Sequence, residues 1–349
     1  MKTRIVDIAR LANVSPGTVD RVIHNRGEVS ETTRKKVEDI IQELDYQPDI
    51  LARSLATKRQ LNFFLLIPVS ANENEFWHAP LKGVDKALGE IQHYGIRITK
   101  RFYNHFDVGS FVEESQKLLL ENPDGVLFAP VFANESQVFM KQLRRKNIPV
   151  LLFNSNLDGP VEADFIGQDS VQSGYLAAKL LTYGFSGGGH ILVVNISARK
   201  DNYNHILRRE RGFRKYFAEN HLDEFSITTL ESLQSTSEIL HSKLDREMDM
   251  HDVRAIFVTN SRVYQVARYL ELKGQAGMRL IGYDLLPENV RWLKEGFIDF
   301  LISQRPEEQG YMAVISMFNR LFLGRDVESE QYLPIDIITK ENIDYYKFR

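Results

Sequence analysis

Arg21 is the residue whose type and position best fit the reading of DNA bases. It lies in the stretch Val14–Val22, which predicts a short helix. Val19, Val22 and Ile23 recur at three- and four-residue spacing and form the inner apolar side of that helix. Arg21 therefore points outward, where its guanidinium can donate two hydrogen bonds to one guanine.

The sequence also indicates where this helix begins. Ser15 can serve as the N-cap, and Pro16 can take the first helical position, where a backbone N–H would have no partner anyway. The outward positions near this start carry Gly17 and Thr18, next to Arg21. We expect a groove-facing surface made by these side chains.

Two further helices flank this one. The first is amphipathic and ends at Asn13, and a third begins at Ser30 and closes before Tyr46 and Pro48. Two short helices joined by so few residues predict a helix-turn-helix, and the third helix completes a small core. Apolar positions that would build this core are Ile5, Ile8, Leu11, Ala12, Val37, Ile40, Ile41 and Leu44.

These residues resemble the lac/galactose repressor family over roughly the first sixty positions, without gaps. The similarity is carried by Val6-Asp7-Ile8-Ala9, Val14-Ser15, Thr18-Val19, Arg21-Val22, Val29-Ser30, Thr33-Arg34, Leu44-Asp45-Tyr46-Gln47-Pro48 and Ala52-Arg53-Ser54-Leu55-Ala56. The resemblance implies a second helix in the major groove, a hinge helix in the minor groove and a sugar-binding domain. It also implies that Leu55 is a minor-groove wedge.

The DNA contacts need not follow the family in detail. Pro16 and Gly17 stand where many members carry longer side chains, and His24 stands where Asn is common. We therefore expect base and phosphate contacts from Arg21 and its neighbours, on a near-palindromic operator bound by a homodimer. The candidate DNA-binding residues are Ser15, Pro16, Gly17, Thr18, Arg21, His24, Asn25, Arg26 and Leu55.

The length, charge and cysteine content of the chain are compatible with a DNA-binding regulator but do not by themselves indicate one. The chain has 349 residues, no cysteine and a net charge of −3; residues 1–60 hold 11 Lys and Arg against 9 Asp and Glu. Neither an apolar signal segment nor a membrane span is visible, since the most apolar run is only Phe63–Ile67. We expect a cytoplasmic protein that does not associate with membranes.

After residue 60 the pattern changes to short apolar runs alternating with amphipathic helices, which predicts parallel α/β units. Strand candidates are 63–68, 96–101, 125–130, 150–153, 190–195, 226–230, 255–259, 279–283 and 298–302. So many strands fit two sheets better than one. With the resemblance, this predicts a two-lobed, type I periplasmic-binding-protein-like α/β effector domain preceded by an all-α helix-turn-helix domain.

The expected domains are residues 1–47 for DNA binding, 48–60 for the hinge helix or a plain linker, and 61–349 for effector binding and dimerisation. Lobe 1 would comprise about 61–165 and 303–325, and lobe 2 about 166–302 and 326–349.

Ligand-binding candidates follow from the rule that open α/β sheets bind ligands beyond the carboxyl ends of their strands. A sugar needs planar hydrogen-bonding groups and an aromatic face, and the residues at these strand ends supply both. Arg209 is added by resemblance alone, and Asp169 lies where the chain should change lobes. The candidates are Phe76, Trp77, Asn154, Ser155, Asp169, Arg209, Asn260, Asp284 and Gln304.

Other roles stay open for three of them. Asp284 could cap the next helix, Trp77 could belong to the core of its lobe, and Arg209 lies in a charged run typical of a solvated face. Ser261 stands where many family members carry Asp, so the ligand need not have the hydroxyl pattern of a standard pyranose sugar.

The remaining motifs point to no catalysis. Gly187-Gly188-Gly189 precedes a strand, whereas phosphate-binding glycines follow one. The histidines lack metal-ligand spacing, and no nucleophile motif or paired carboxylates stand out. We predict a ligand-controlled DNA-binding regulator without metal or cofactor; the alternatives are a solute-binding protein of the same fold and a sugar-processing enzyme.

Overall fold

The computed structural model describes residues 4–23, 27, 29–44, 46, 60–70, 75–157, 159, 163–197, 204–233 and 236–346. The chain divides into two compact units, residues 1–59 and 60–349. The predicted hinge helix and the residues His24, Asn25, Arg26 and Leu55 lie outside the described residues.

The first unit holds the predicted helices α1 (Ile5–Ala12), α2 (Pro16–Ile23) and α3 (Glu31–Glu43). Asn13 ends α1 in the left-handed conformation, with φ 55°, which turns the chain into α2. Ser30 caps α3 by accepting a hydrogen bond from the backbone N of Thr33. The core consists of six buried side chains: Ile8, Ala9, Ala12, Val19, Val22 and Val37. Leu11, which was expected in this core, is exposed.

The second unit contains two six-stranded sheets. Its described helices are α4 (His78–Ile91), α5 (Val108–Leu120), α6 (Ala133–Arg145), α7 (Ser170–Thr182), α8 (Asn204–Glu219), α9 (Ser237–Met250), α10 (Val263–Leu272), α11 (Pro287–Lys294) and α12 (Pro306–Leu321). Its strands are β1 (Leu61–Pro68), β2 (Ile96–Tyr103), β3 (Gly125–Phe128), β4 (Val150–Asn154), β5 (Asp164–Gly167), β6 (Gly189–Ser197), β7 (Phe225–Leu233), β8 (Val253–Val258), β9 (Arg279–Tyr283), β10 (Phe300–Ser303), β11 (Glu330–Tyr332) and β12 (Asp336–Ile338).

Each sheet forms one lobe with the helices packed on it. Lobe 1 has the strand order β11-β5-β4-β3-β1-β2, and lobe 2 has the order β12-β10-β9-β8-β6-β7. All pairings are parallel except that of β10 with β12. Helix α12 packs on lobe 1 although β10, immediately before it, belongs to lobe 2. The two-lobed α/β fold expected from the sequence is therefore present.

Three short strands were not among the expected ones: β5, β11 and β12. The segment Glu330–Tyr332 pairs with β5 in lobe 1, whereas residues 326–349 were expected wholly in lobe 2. Only from Asp336 onward does the chain join the second sheet. Three- and four-residue strands are too short to show an alternating pattern.

The chain thus passes between the lobes three times, and one side chain joins these crossings. Gln168, at the first crossing, donates from Nε2 to the carbonyl of Ser303 at 3.0 Å and to that of Pro334 at 3.3 Å. Arg305, at the second crossing, is also bonded to the third, since its guanidinium donates to both carboxylate oxygens of Asp336. The lobes are joined by a cross-linked set of segments.

Close helix pairs flank the region between the lobes. In lobe 1 a Cβ on Gly83 would lie 1.8 Å from the carbonyl oxygen of Glu307. In lobe 2 a Cβ on Gly174 would lie 1.9 Å from the carbonyl oxygen of Arg209. Only glycine permits such an approach of two backbones, so Gly174 fixes where the Arg209 backbone lies.

Candidate functional site

The outward side of α2 is the candidate DNA-reading surface. The Ser15 hydroxyl accepts a hydrogen bond from the backbone N of Thr18 at 3.1 Å and lies 2.9 Å from the Thr18 hydroxyl. Ser15 is therefore the helix cap that the sequence predicts. Pro16, Gly17 and Arg21 are exposed, while Val19 and Val22 are buried beneath them.

Arg21 is exposed, so its guanidinium is available to a partner. Its side chain passes close to Gly27, which has a left-handed φ of 69°. A Cβ built on Gly27 would lie 3.7 Å from Arg21 Cδ. Because L-residues avoid this backbone conformation, glycine is the residue suited to the turn beside Arg21.

A cavity of about 610 Å³ lies between the lobes of the second unit, beyond the carboxyl ends of the strands. It brings together seven of the nine ligand-binding candidates: Phe76, Trp77, Asn154, Arg209, Asn260, Asp284 and Gln304. Its size and its mixture of apolar and polar groups are those of a small-molecule site.

Arg209 forms the floor of this cavity and is only 1% exposed, not part of a solvated face. Its Nη1 donates to the carbonyl of Thr259 at 2.8 Å, and its Nη2 donates to Gln304 Oε1 at 2.5 Å. The guanidinium stacks on the Tyr283 ring, with Cζ 3.6 Å from the ring centre. Such a held, desolvated cation can orient a polar ligand without first reorganising.

Asp284 faces this cation through Gln304. Gln304 Nε2 donates to Asp284 Oδ2 at 2.7 Å, whereas the buried Oδ1 has no hydrogen-bond partner within the described part of the chain. Burial raises the pKa of Asp284 to about 6, against the opposing effect of Arg209. Asp284 does not cap α11, whose N-cap is Leu286. An unfilled acceptor in a buried place is what a ligand hydroxyl would satisfy.

The strand ends themselves are held in position. Asn289 donates from Nδ2 to the carbonyls of Ser261, Tyr283 and Asp284 at 2.9 to 3.0 Å. Asp284 has φ 69° and Asn154 has φ 68°, both left-handed. Backbone strain of this kind persists where surrounding contacts enforce it, and it gathers at ligand sites.

Aromatic side chains line the lobe 1 wall. Phe76 and Trp77 meet edge to face with ring centres 5.0 Å apart. Trp77 also packs against the lobe 1 core, so both roles considered for it are present in its surroundings. Such rings provide the apolar surface on which the C–H face of a sugar can rest.

Two histidines line the cavity that strand-end reasoning did not find. Burial, followed by the charge of Arg262, lowers the pKa of His105 to about 4. Burial, followed by the charge of Arg209, lowers the pKa of His205 to about 3. Both imidazoles are therefore neutral near pH 7. His205 comes from α8, four residues before Arg209, so helical spacing from Arg209 was the signal that could have found it.

Two candidates do not line the cavity. Asp169 caps α7 by accepting hydrogen bonds from the backbone N of Val171 and of Gln172. Ser155 is buried, and its hydroxyl has no hydrogen-bond partner among the residues that the structure describes. Lining residues that were not predicted include Glu75, Phe106, Ser261, Arg262, Tyr264, Gln265 and Glu288.

The described residues contain no group of three or more His, Asp or Glu side chains placed to hold a metal ion. Within the same residues, no helix is long and apolar enough to cross a membrane.

Comparison with known proteins accounts for both units. Residues 4–49 match the model of bacterial regulatory proteins of the lacI family, and residues 64–324 match that of the periplasmic binding protein domain. The regulator DegA of Bacillus subtilis is 29% identical over 294 residues, covering 81% of this chain and 82% of DegA. The sucrose operon repressor of Streptococcus mutans is 24% identical, covering 98% of this chain and all of the repressor.

A solved structure gives the same result. It belongs to a Bacteroides fragilis protein described as a candidate LacI transcriptional regulator, with a TM-score of 0.76 and 34% identity. The match covers 83% of this chain and 100% of that one. A helix-turn-helix unit and a two-lobed binding unit in one chain define a ligand-controlled, DNA-binding transcriptional regulator. This chain belongs to the lacI family of bacterial regulatory proteins.

Proposed function

We propose that the effector of this regulator is a carbohydrate or carbohydrate derivative bound in the cavity between the lobes. The observation that carries the proposal is the buried hydrogen-bonded series Arg209–Gln304–Asp284, which ends in an unfilled carboxylate oxygen and lines the same cavity as the aromatic pair Phe76 and Trp77. Vicinal hydroxyls can bond to such planar groups while a C–H face rests on the rings. The name of one relative, a sucrose operon repressor, points in the same direction.

Asn154 and Asn260 would complete the polar part of the site from opposite lobes. Asn154 is the last residue of β4, and Asn260 follows β8. Ser155 and Asp169 would act on this site only indirectly, because they do not line the cavity. Binding residues on both lobes would couple ligand binding to the lobe arrangement.

On the DNA side, we infer that Arg21 reads a base while Ser15, Pro16, Gly17 and Thr18 shape the surface around it. His24, Asn25 and Arg26 would contact phosphates, and Leu55 would enter the minor groove. Two copies of a weakly charged reading unit would be needed for useful affinity, so the regulator would bind a near-palindromic operator as a homodimer. We propose separately that it acts in the cytoplasm, as a repressor.

Selection of duplexes from a random DNA pool by the full chain tests this function. We expect enrichment of a near-palindrome, and at least one member of a sugar panel should change the affinity for it. Arg21→Ala should lower the preference for that duplex over random DNA by about tenfold or more, since each bidentate contact contributes about 1–3 kcal/mol. Enrichment of a single half-site would exclude the dimer, and indifference to all sugars would exclude the carbohydrate effector.

A further inference from the structure

The cavity has a second arginine in its lining, Arg262. Arg262 follows β8 and reaches across to lobe 1, where its Cζ lies 5.4 Å from the centre of the Phe106 ring. Among the residues that the structure describes, no carboxylate forms an ion pair with Arg262 and no hydrogen bond is made by its guanidinium. Arg262 is half-buried, so a ligand group can reach its guanidinium in a partly desolvated place where a charge-assisted hydrogen bond is strong.

The backbone that carries Arg262 is fixed. Asn260 Oδ1 accepts a hydrogen bond from the backbone N of Arg262 at 3.1 Å, while Asn260 Nδ2 donates to the carbonyl of Ile196 at 2.6 Å. The carbonyl of Ser261 accepts from Asn289 at 2.9 Å. A ligand group that meets Arg262 therefore does not have to order the loop, which lowers the entropic cost of binding.

Neighbouring charges leave Arg262 as the available cation. Glu288 is paired with Arg268 at 2.9 Å. His105 stays neutral because burial and Arg262 hold its pKa near 4, against the opposing effect of Glu75. The acidic group near His105 is Glu75, and it makes an interaction of its own.

The region around Arg209 and Asp284 disfavours an anionic group. One N–H of each terminal nitrogen of Arg209 already donates, to the carbonyl of Thr259 and to Gln304 Oε1. The Asp284 carboxylate lies beside them and would repel a second negative charge. A ligand with both hydroxyls and an anionic group would therefore place its hydroxyls near Arg209 and Asp284 and its anion at Arg262.

We propose that the effector is a sugar bearing a carboxylate or phosphate group, and that Arg262 binds this group. The inference rests on the proposed carbohydrate effector and adds its chemical class. Guanidinium groups bind both anions through paired hydrogen bonds, so the structure supports their shared chemistry, a planar or tetrahedral oxyanion on a sugar.

Isothermal titration of the full chain with matched sugars tests the proposal. Each set contains a neutral aldose, its uronate and its 6-phosphate: glucose, glucuronate and glucose 6-phosphate, and the galactose and mannose counterparts. We expect one charged member to bind at least about tenfold more tightly than its neutral partner, as for a charge-assisted pair. Comparison of the two charged members identifies carboxylate or phosphate. The preference should shrink as salt is raised.

Variants assign the preference to Arg262. Arg262→Gln should reduce the charged-to-neutral ratio to about one, and Arg262→Lys should retain part of it. Arg291→Gln is the matched control, because Arg291 is an exposed lobe 2 arginine paired with Glu295 and outside the cavity. It should leave the ratio unchanged.

Two results would overturn the proposal while leaving the carbohydrate effector in place. One is equal or tighter binding of neutral sugars, and the other is a preference for charged sugars that survives in Arg262→Gln. Absence of binding by every member of the panel would overturn the carbohydrate effector and this inference together.

Discussion

Lobe 1 and lobe 2 share one architecture but present different chemistry to the cavity between them. Each has a six-stranded sheet, a helix pair in glycine contact and one strand-end residue with a left-handed φ near 69°. Lobe 2 contributes the buried charges Arg209 and Asp284, whereas lobe 1 contributes the aromatic pair and the neutral amide of Asn154. The shared features serve the fold, and the side chains at the strand ends determine what each lobe can recognise.

This difference predicts that the two lobes contribute differently to ligand binding. We expect a hydroxylated ligand to gain most of its directional bonds from lobe 2, since the unfilled oxygen of Asp284 and the held cation of Arg209 belong to that lobe. We expect lobe 1 to add apolar contact area as the lobes close over the ligand. We therefore expect binding energy to be concentrated in lobe 2 and closure to depend on lobe 1.

The largest expected effect comes from removing the lobe 2 cation. Arg209→Gln should lower affinity for the best sugar of the panel by about a hundredfold or more, because loss of one member of a buried charged network costs about 2–5 kcal/mol. Trp77→Phe in lobe 1 should cost less than about tenfold, since it keeps an aromatic face. Isothermal titration measures both.

Arg209→Lys separates binding from folding, as it keeps a charge at the floor but loses the fork that reaches Thr259 and Gln304. It should fold, as judged by circular dichroism, and still bind weakly. An effect of Trp77→Phe as large as that of Arg209→Gln would remove the contrast between the lobes.

The same contrast explains what could be read from the sequence. Strand-end reasoning found Asn154, Asn260, Asp284 and Gln304 because the end of a long buried strand is visible in the sequence as the end of an apolar run. It missed Phe106 because β2 continues to Tyr103, two residues beyond its expected end, and the following loop then sets the position. His205 comes from a helix rather than a strand, so the rule could not include it.

The charged run around Arg209 did not reveal by its composition which of its side chains is buried. The run Arg208-Arg209-Glu210-Arg211 contains four charged residues, yet Arg209 is buried while Arg211 is exposed. Arg209 lies on the buried face of α8 with Ile206 and Phe213, at helical spacing, and Gly174 of α7 approaches its backbone. The helical spacing could be read from the sequence, whereas the contact with Gly174 joins residues far apart in the chain and leaves no local pattern.

A smaller effect should come from pH, through Asp284. Its pKa is raised from 3.8 to about 6, so the unliganded folded protein binds more protons than the unfolded chain between these values. The contribution of this group to stability therefore falls as pH rises through that window. If ligand hydroxyls donate to the carboxylate, binding favours the ionised form, and affinity should rise by about tenfold from pH 5 to pH 7.

Titration of the best neutral sugar at several pH values measures this, with Asp284→Asn as the control that should remove the slope. His105 and His205 do not disturb the comparison, because their pKa values of about 4 and about 3 keep them neutral throughout. A slope that persists in Asp284→Asn would assign the proton to another group.

The smallest expected effect on affinity compares the two glycine contacts. Gly174→Ala and Gly83→Ala each place a Cβ within 2 Å of a backbone carbonyl, in lobe 2 and lobe 1 respectively. Both should destabilise the protein, by about 1–3 kcal/mol for overpacking, as measured by urea unfolding. They should differ in ligand binding, because the carbonyl beside Gly174 belongs to Arg209 itself, whereas the one beside Gly83 belongs to Glu307, outside this cavity.

Displacing α8 from α7 would move the Arg209 guanidinium relative to Asp284, and a binding group moved by a fraction of an ångström no longer fits a fixed ligand. Gly174→Ala should therefore weaken sugar binding by about threefold to tenfold, or roughly 1 kcal/mol, while Gly83→Ala leaves the affinity within about twofold of the wild type. Equal losses in the two variants at equal destabilisation would mean that general loosening of the lobes controls affinity. The larger loss in Gly174→Ala would show that the glycine contact in lobe 2 acts through the residue that it positions.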